Sequence, residues 1–344
     1  MSLITSRCTQ VKTKLTLFFL VIALTLAFIN PVFAGSNQAG TAAYSFLKVG
    51  VGARGQAMSG AMVALANDEY AGYYNPAGLG LLSPIREVEN EFGEVTEIES
   101  DIDKYFAASY NSYIADIQAG YVAFMMRQGL GGMLGFSINY FNYGEFDEYD
   151  VNNIKTGTFS ASDMAFAVNY GQRVDERFYW GITGKFIYER LHDDYTSDGI
   201  AVDGGILYRV GDKRTVLGLA AKHIGVQLKG LTEEHKDKLP GVIQAGVSHA
   251  LQGMPVVFSG QIDYPFDYEI SGKVGVEITG LDPLFVRFGW DSLGRDYKSG
   301  SSKDDLGGFS GGLGVVWNNY RLDYSYSSFA DIGNSHRVSI SGGF

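Results

Sequence analysis

The sequence predicts an all-β membrane protein: an antiparallel outer-membrane barrel of about 14 strands, with an amino-terminal hatch, or plug, inside its lumen. Apolar and polar residues alternate along most of the chain, as in strands that face lipid on one side and a lumen on the other. Short and long connections also alternate, and the chain ends on an aromatic residue. Together these observations favour a membrane barrel over a soluble globular protein.

The last predicted strand shows the alternation clearly. Val338, Ile340 and the terminal Phe344 share one face, whereas Arg337 and Ser339 share the other. A strand that is apolar outward and polar inward, and that ends on an aromatic residue, is typical of bacterial outer-membrane barrels. We therefore expect Val338, Ile340 and Phe344 to act as the carboxy-terminal signal that the barrel-assembly machinery reads.

The first 34 residues read as a cleaved signal peptide. Arg7, Lys12 and Lys14 precede an apolar stretch over 15–29, and 32–34 resembles a small-x-small cleavage site. The alternative is a membrane-anchoring helix, but an apolar run of about 15 residues is short for a span. Export through this signal would place the mature chain in the outer membrane of a Gram-negative type of cell.

Composition excludes several classes of function. The single cysteine, Cys8, lies in the predicted signal, so the mature chain would have no disulfide, thiol nucleophile or thiolate metal site. The net charge of −11 argues against nucleic acid as a partner, and the five histidines show no metal-like spacing. We expect no catalytic activity, no cofactor and no metal.

Alternation predicts a barrel over 104–344. Its strands are expected at 104–112, 115–126, 131–143, 160–172, 176–190, 198–210, 214–225, 240–251, 254–264, 270–279, 283–292, 307–317, 320–328 and 335–344. Connections after even-numbered strands are tight, as at 211–213, whereas most after odd-numbered strands are longer, as at 144–159. This pattern matches the periplasmic turns and outer loops of bacterial barrels.

Some predicted inward positions are apolar, which a water-filled pore would not need. They are Val122, Phe124, Ile187, Leu207, Phe285 and Val316. Two interpretations remain: these residues pack against the hatch, or they line a path for a hydrophobic ligand. We favour packing, because a plug must bury its apolar face against something.

The residues ahead of the first strand, 35–83, do not alternate and predict the hatch. A barrel of about 14 strands encloses more space than side chains fill, since about eight strands is that limit. A short helix is expected over 61–67, and Arg54 is a candidate for an ion pair with a lumen acid such as Asp203, Asp263 or Asp323, or else faces water. The Gly50-x-Gly52-x-x-Gly55 spacing lacks the setting of a dinucleotide site, so tight turning of the hatch explains it better.

Three motifs in the hatch resemble the amino-terminal signature of the PorV/PorQ family: residues 46–54, the 60–61 step and residues 74–78. That family belongs to the wider FadL-like group of fourteen-stranded outer-membrane barrels with an internal hatch. The resemblance implies a structural or gating role for the residues that match it. These are Gly50, Gly52, Arg54, Gly60, Asn75, Pro76, Ala77 and Gly78.

The resemblance also implies two alternative functions. PorV-like proteins serve type IX-like secretion, so the first expectation is a barrel that binds or relays exported proteins. FadL-like relatives instead transport long-chain fatty acids or other hydrophobic molecules. Expected partners are outer-membrane lipid and lipopolysaccharide, the barrel-assembly machinery, and either secretion-system proteins and exported cargo or a hydrophobic small molecule.

One stretch departs from the family pattern. Residues 84–103 are rich in acids and predict an acidic periplasmic linker, where relatives pass more directly to the first strand. A solvated linker and a docking surface for a basic partner are both open for this insertion.

Overall fold

A computed structural model describes residues 40–82, 102–128, 132–192, 195–232, 236–297 and 304–344, together with the backbone of 85–89 and 95–99. The predicted signal peptide therefore lies outside the described residues. The predicted linker contains a two-stranded antiparallel hairpin, β1 (Ile85–Glu89) and β2 (Val95–Glu99). The sequence predicts only a linker over 84–103, without this hairpin.

The described residues contain a closed barrel of fourteen antiparallel strands, as the sequence predicts. Each strand pairs with the next along the chain, and the last pairs with the first. The strands are β3 Lys104–Ser112, β4 Gln118–Gln128, β5 Gly132–Tyr149, β6 Lys155–Arg173, β7 Phe178–His192, β8 Tyr195–Val210, β9 Thr215–Lys229, β10 Val242–Ala250, β11 Val256–Pro265, β12 Ser271–Leu281, β13 Leu284–Asp291, β14 Phe309–Trp317, β15 Tyr320–Ser328 and β16 Asn334–Gly343.

Closure makes the fold suitable for a lipid environment. A closed ring leaves no strand edge, so each strand finds backbone hydrogen-bond partners on both sides. In β16, Val338 and Ile340 are exposed whereas Arg337 and Ser339 are buried. The same alternation holds in β7, where Trp180 is exposed. The predicted faces of β16, and the predicted inward position of Ile187 in β7, are confirmed.

Two strands, β5 and β6, run furthest beyond the bounds that the sequence predicts. Much of the predicted loop 144–159 is strand, because β5 continues to Tyr149 and β6 begins at Lys155. Phe146 and Phe159 face each other across this extension, with stacked rings 5.4 Å apart. A cross-strand aromatic pair stabilises such an extension where loop-forming residues alone would not.

The predicted facing of β4 is wrong. Val122 is 58% exposed and points outward, whereas Tyr121, Ala123 and Met125 are buried and point inward. Phe124, which shares the face of Val122, also belongs to the outward row. Both faces of β4 are apolar, so alternation gave no signal for its orientation.

Helices are short in the described part of the chain. The two α-helices are α1 (Ala53–Ala57) and α2 (Ala71–Tyr74). Short 3-10 helices lie at Ser45–Lys48, Pro76–Leu81, Ile114–Asp116, Ser292–Tyr297, Asp304–Leu306 and Ala330–Ile332. None of the helices in these ranges has the length and apolar character that crossing a membrane requires.

The outward-facing apolar side chains of the strands predict how costly a charged substitution is at each position along a strand. Leu313 lies at the centre of β14 and is 54% exposed. We expect Leu313→Arg to lower the free energy of unfolding in lipid vesicles by about 2–4 kcal/mol, because an arginine near the bilayer midplane is costly. Trp317→Arg, at the end of the same strand, is the matched control and should cost about 0–1 kcal/mol. Equal effects at both positions would contradict a membrane-spanning orientation.

Candidate functional site

The lumen holds residues 43–82, here called the N-terminal segment. At one end, the Ala43 N–H donates to the Lys238 carbonyl at 3.0 Å, and Lys48 forms an ion pair with Asp267. Both partners lie in connections on the long-loop side of the barrel. At the other end, Ala77 packs against Tyr179 and Leu207, near the short turns. The segment therefore runs along the lumen from the long-loop end to the short-turn end.

The segment contacts strands from opposite sides of the ring. The Ala53 N–H donates to Ser339 Oγ of β16 at 3.0 Å. Across the lumen, the Asn75 side-chain amide donates to the Ile206 carbonyl of β8 at 3.2 Å. Ile187 and Leu207 are buried against this material, so at these two positions the packing interpretation of the inward apolar residues holds.

A closed ring of alternating charges fixes the segment to one side of the barrel. Arg54 donates to both carboxylate oxygens of Glu277, at 2.9 and 2.7 Å, and to Asp68 at 2.9 Å. Glu277 also accepts from Arg287 at 2.7 Å. We call this set the ionic ring; its members are Arg54, Glu277, Arg287, Asp323, Arg321 and Asp68.

The remaining contacts close the ring. Arg287 donates to Asp323 at 2.6 Å, and Arg321 donates to Asp323 at 3.0 Å. Arg321 then reaches back to the segment, at 3.4 Å from Asp68 and 3.1 Å from Glu69. A buried charge without a partner is very costly. Because Arg54 and Asp68 are paired with charges of the wall, the segment cannot shift without incurring this cost, and its position is fixed.

Arg54 does form an ion pair with an inward acid of the wall, but that acid is Glu277 and not one of the three named from the sequence. Each expected acid is already engaged by a cation of the barrel wall: Asp203 by Lys185 at 2.5 Å, Asp263 by Lys273 at 2.8 Å and Asp323 by Arg287 at 2.6 Å. Alternation in the sequence identifies which acids point inward. Which of these acids lies next to an inward cation depends on the pairing of the strands, which the sequence does not reveal.

The helix predicted over 61–67 is absent, since these residues form turns. Their backbone groups bind the wall instead of one another. The Val63 N–H donates to Gln261 at 2.8 Å, while the Ala61 and Ala64 carbonyls accept from wall serines at 2.6 and 2.9 Å. A helix would have to give up these bonds, and the lumen side chains would then lose their partners.

The 75–78 motif is a folding element of the segment. Asn75 is fully buried; its oxygen accepts from the Ala77 N–H at 3.1 Å, and its amide donates to the Val63 carbonyl at 2.8 Å. Pro76 opens the following 3-10 helix, where its lack of an N–H has no cost. A Cβ on Gly78 would overlap the Ala66 carbonyl. The gating role of these residues stays a prediction.

The earlier glycines of the motif also have local structural roles. Gly52 and Gly60 have φ of 68° and 78°, in the region that favours glycine. A Cβ on Gly50 would lie 2.9 Å from the Tyr74 hydroxyl.

Wall glycines that the sequence analysis did not single out make room for the segment. A Cβ at Gly171 or Gly181 would overlap Pro76, and one at Gly205 would overlap the Asn75 side chain. These three glycines occupy inward positions on β6, β7 and β8. Inward glycines on adjacent predicted strands are the sequence signal that could have located this contact.

A small cavity lies between the segment and the wall. Its volume is about 20 Å³, enough for one water molecule. The residues around it are Leu47, Gly72, Tyr73, Tyr121, Ser137, Asn139, Ala165, Ala167, Asn169 and Lys185. One of them, Asn139, is buried and its amide nitrogen has no hydrogen-bond partner among the described residues. An organic guest would enter only if the segment moved.

No metal-like cluster of three or more histidine, cysteine, aspartate or glutamate side chains occurs in the described ranges. No protein-family model matches the sequence, the PorV/PorQ family included, and no curated protein matches it.

Three solved structures that share this fold are named as transporters or channels. The Ralstonia pickettii toluene transporter TbuX matches with a TM-score of 0.55 and 13% identity, over 86% of this chain and 98% of that chain. The Pseudomonas putida toluene transporter TodX matches with 0.57 and 11%, over 86% and 98%. The monoaromatic hydrocarbon channel CymD matches with 0.52 and 12%, over 86% and 98%. At these identities the likeness shows the shared barrel fold alone.

Adjacent glycines of β8 test the fit between segment and wall. We expect Gly205→Ala to destabilise the segment by about 1–3 kcal/mol, because its Cβ would overlap Asn75. Gly204→Ala is the matched control, since a Cβ there meets nothing within 4 Å. Proteolysis of the segment in the folded barrel is the measurement. Equal protection in the two variants would show that the segment does not lie against β8.

The ionic ring predicts a second stability difference. Glu277→Gln leaves Arg54 and Arg287 without their carboxylate, and we expect a loss of about 3–5 kcal/mol in unfolding free energy. Asp147→Asn removes an exposed ion pair with Lys155 and should change stability little. Guanidinium unfolding of both variants in detergent measures the difference. A Glu277→Gln variant as stable as the Asp147→Asn variant would show that the ring is not closed.

Proposed function

We propose that the protein is an outer-membrane channel for small hydrophobic molecules, whose lumen is plugged by the N-terminal segment until such a molecule passes. The observation that carries this proposal is the lumen itself. It is occupied by a segment that is held by the ionic ring at Arg54 and packs through apolar side chains elsewhere, as where Phe46 and Phe141 lie 5.6 Å apart. A pore for polar solutes would instead need a continuous water-filled lumen.

The comparisons support hydrophobic transport over secretion. TbuX and TodX are named as toluene transporters and CymD as a monoaromatic hydrocarbon channel, and all three share this fold. The secretion role, which was preferred from the sequence, rests only on the PorV/PorQ resemblance. No family model supports it. We therefore adopt the alternative, and with it a transport role without catalysis.

The proposal includes a route to the membrane. The signal peptide at 1–34 would direct export, and the outward Val338, Ile340 and Phe344 would serve the barrel-assembly machinery at the outer membrane. The exposed apolar faces of the strands would then contact lipid and lipopolysaccharide. Both steps follow from residue chemistry and stay open to test.

Uptake measurements separate the two functions. A deletion strain should take up labelled toluene several-fold more slowly than the parent, and the intact gene on a plasmid should restore the rate. Display of exported surface proteins should be unchanged in the same strain. Normal toluene uptake together with lost surface display would reverse the choice and favour secretion.

A further inference from the structure

We infer that molecules pass between the N-terminal segment and strands β4–β7, through a subsite that takes a small apolar molecule bearing one hydrogen-bond acceptor. The inference rests on the proposed function and adds where the passage lies and which chemistry it selects. Three observations lead to it: the one-sided attachment of the segment, the position of the cavity, and the unpartnered amide of Asn139.

The segment is attached by charge on one side of the barrel. Among the described residues, the ion pairs that join it to a strand involve only β12 and β15, through Glu277 and Arg321. The neighbouring β16 adds hydrogen bonds from Arg337 to the Gly50 carbonyl and to Gln56, from the Ala53 N–H to Ser339, and from the Tyr70 hydroxyl to the Ile340 carbonyl. Moving the segment away from this side would leave several buried charges without partners, at a high free-energy cost.

The contact with β4 and β5 contains no ion pair in the described ranges. Facing β4 and β5, the segment presents aromatic rings. Tyr121 lies 5.7 Å from Tyr70 and 6.4 Å from Tyr73 between ring centroids, and Phe141 lies beside Phe46. Ring contacts of this kind tolerate sliding, and another ring can replace either partner without exposing a charge. In the part of the chain that the structure describes, no ion pair holds the segment to β4–β7; besides packing, the Thr183 hydroxyl of β7 donates to the Gly72 carbonyl at 3.3 Å. Separation at this contact therefore leaves no buried charge without its partner.

The cavity lies on this same side. Its walls come from the segment through Leu47, Gly72 and Tyr73, and from strands β4 to β7 through the other lining residues. Because the cavity lies at a contact without ion pairs, a small movement of the segment here would enlarge it enough to admit a small molecule. The rings of Tyr73 and Tyr121 would then pack against an apolar or aromatic guest.

The polar side chains around the cavity leave one donor available. Asn169 is satisfied, since its amide donates to Ser137 at 3.3 Å and its oxygen accepts from Thr183 at 2.8 Å. Lys185 is paired with Asp203 at 2.5 Å. Asn139 is 6% exposed, and its amide nitrogen has no partner among the described residues.

A molecule that carries a hydrogen-bond acceptor would therefore bind more tightly in the subsite than one that carries none. A buried donor without a partner is costly, and an incoming carbonyl, ether or hydroxyl oxygen would remove that cost by displacing a water that fits there. A charged guest has no free counter-ion in the subsite, because Lys185 is already neutralised. The chemistry thus selects a neutral molecule with an apolar or aromatic body and one acceptor.

Engineered disulfides test where the passage lies. The chain after the predicted signal has no cysteine, so each introduced pair is unique. Gly72→Cys with Asn169→Cys joins the segment to β6, where a Cβ on Gly72 would lie 2.9 Å from Asn169 Cγ. Ala53→Cys with Ser339→Cys joins the segment to β16 and is the matched control. We expect oxidation of the first pair to abolish toluene uptake, reduction to restore it, and oxidation of the second pair to leave uptake unchanged.

The outcomes distinguish the two proposals. Uptake that survives the oxidised 72–169 bridge, or that is lost with the oxidised 53–339 bridge, would overturn the inference while leaving transport intact. If the unsubstituted protein itself fails to promote toluene uptake, the proposed function falls instead.

A substitution at Asn139 tests the selected chemistry. In uptake assays with labelled acetophenone, which carries a carbonyl, and toluene, which has no acceptor, Asn139→Leu should lower the acetophenone-to-toluene ratio about two- to tenfold, the range expected for one hydrogen bond. A purely structural role would change both rates together and leave the ratio unchanged, and that result would overturn the subsite. Folding is checked by the heat-dependent gel mobility of the barrel.

Discussion

The structure depends on one constraint: in hydrocarbon, every backbone N–H and C=O group must find a partner within the protein. The fourteen described strands meet it by closing into a ring, with β16 paired to β3. Closure at this strand number creates a second problem, because the lumen is wider than the side chains of the wall fill. Residues 43–82 fill this remaining space in the lumen, and their own backbone groups bind inward side chains of the wall.

Filling the lumen in turn shapes its electrostatics. Inward charges that would face water in an open pore are here removed from it, so each needs a partner close by. The ionic ring supplies partners for Arg54, Arg287 and Arg321, and a separate pair joins Lys185 to Asp203. Among the described residues, the ion pairs between the segment and the strands lie at β12 and β15, whereas the contacts with β4–β7 carry none. Under the proposed function, that difference would set the direction in which the segment moves.

Much of the barrel could be predicted from sequence, because a lipid-facing strand has a side-chain period of two and tight turns mark its ends. Alternation failed in β4, where both faces are apolar and Val122 points outward. The segment was harder to predict. Its turns at 61–67 form because wall side chains capture the backbone, and the partners of Arg54 depend on which inward charges strand pairing brings together. Local propensity carries neither kind of information.

The central claim is that the intact chain forms a membrane-spanning barrel whose lumen is closed by its own amino-terminal residues. Single-channel recording of the purified protein in planar lipid bilayers tests this most directly. The account predicts insertion without steady ion conductance for the full chain, and large stable conductance steps once residues 43–82 are deleted. A full chain that conducts ions continuously, with steps like those of an open porin, would contradict it.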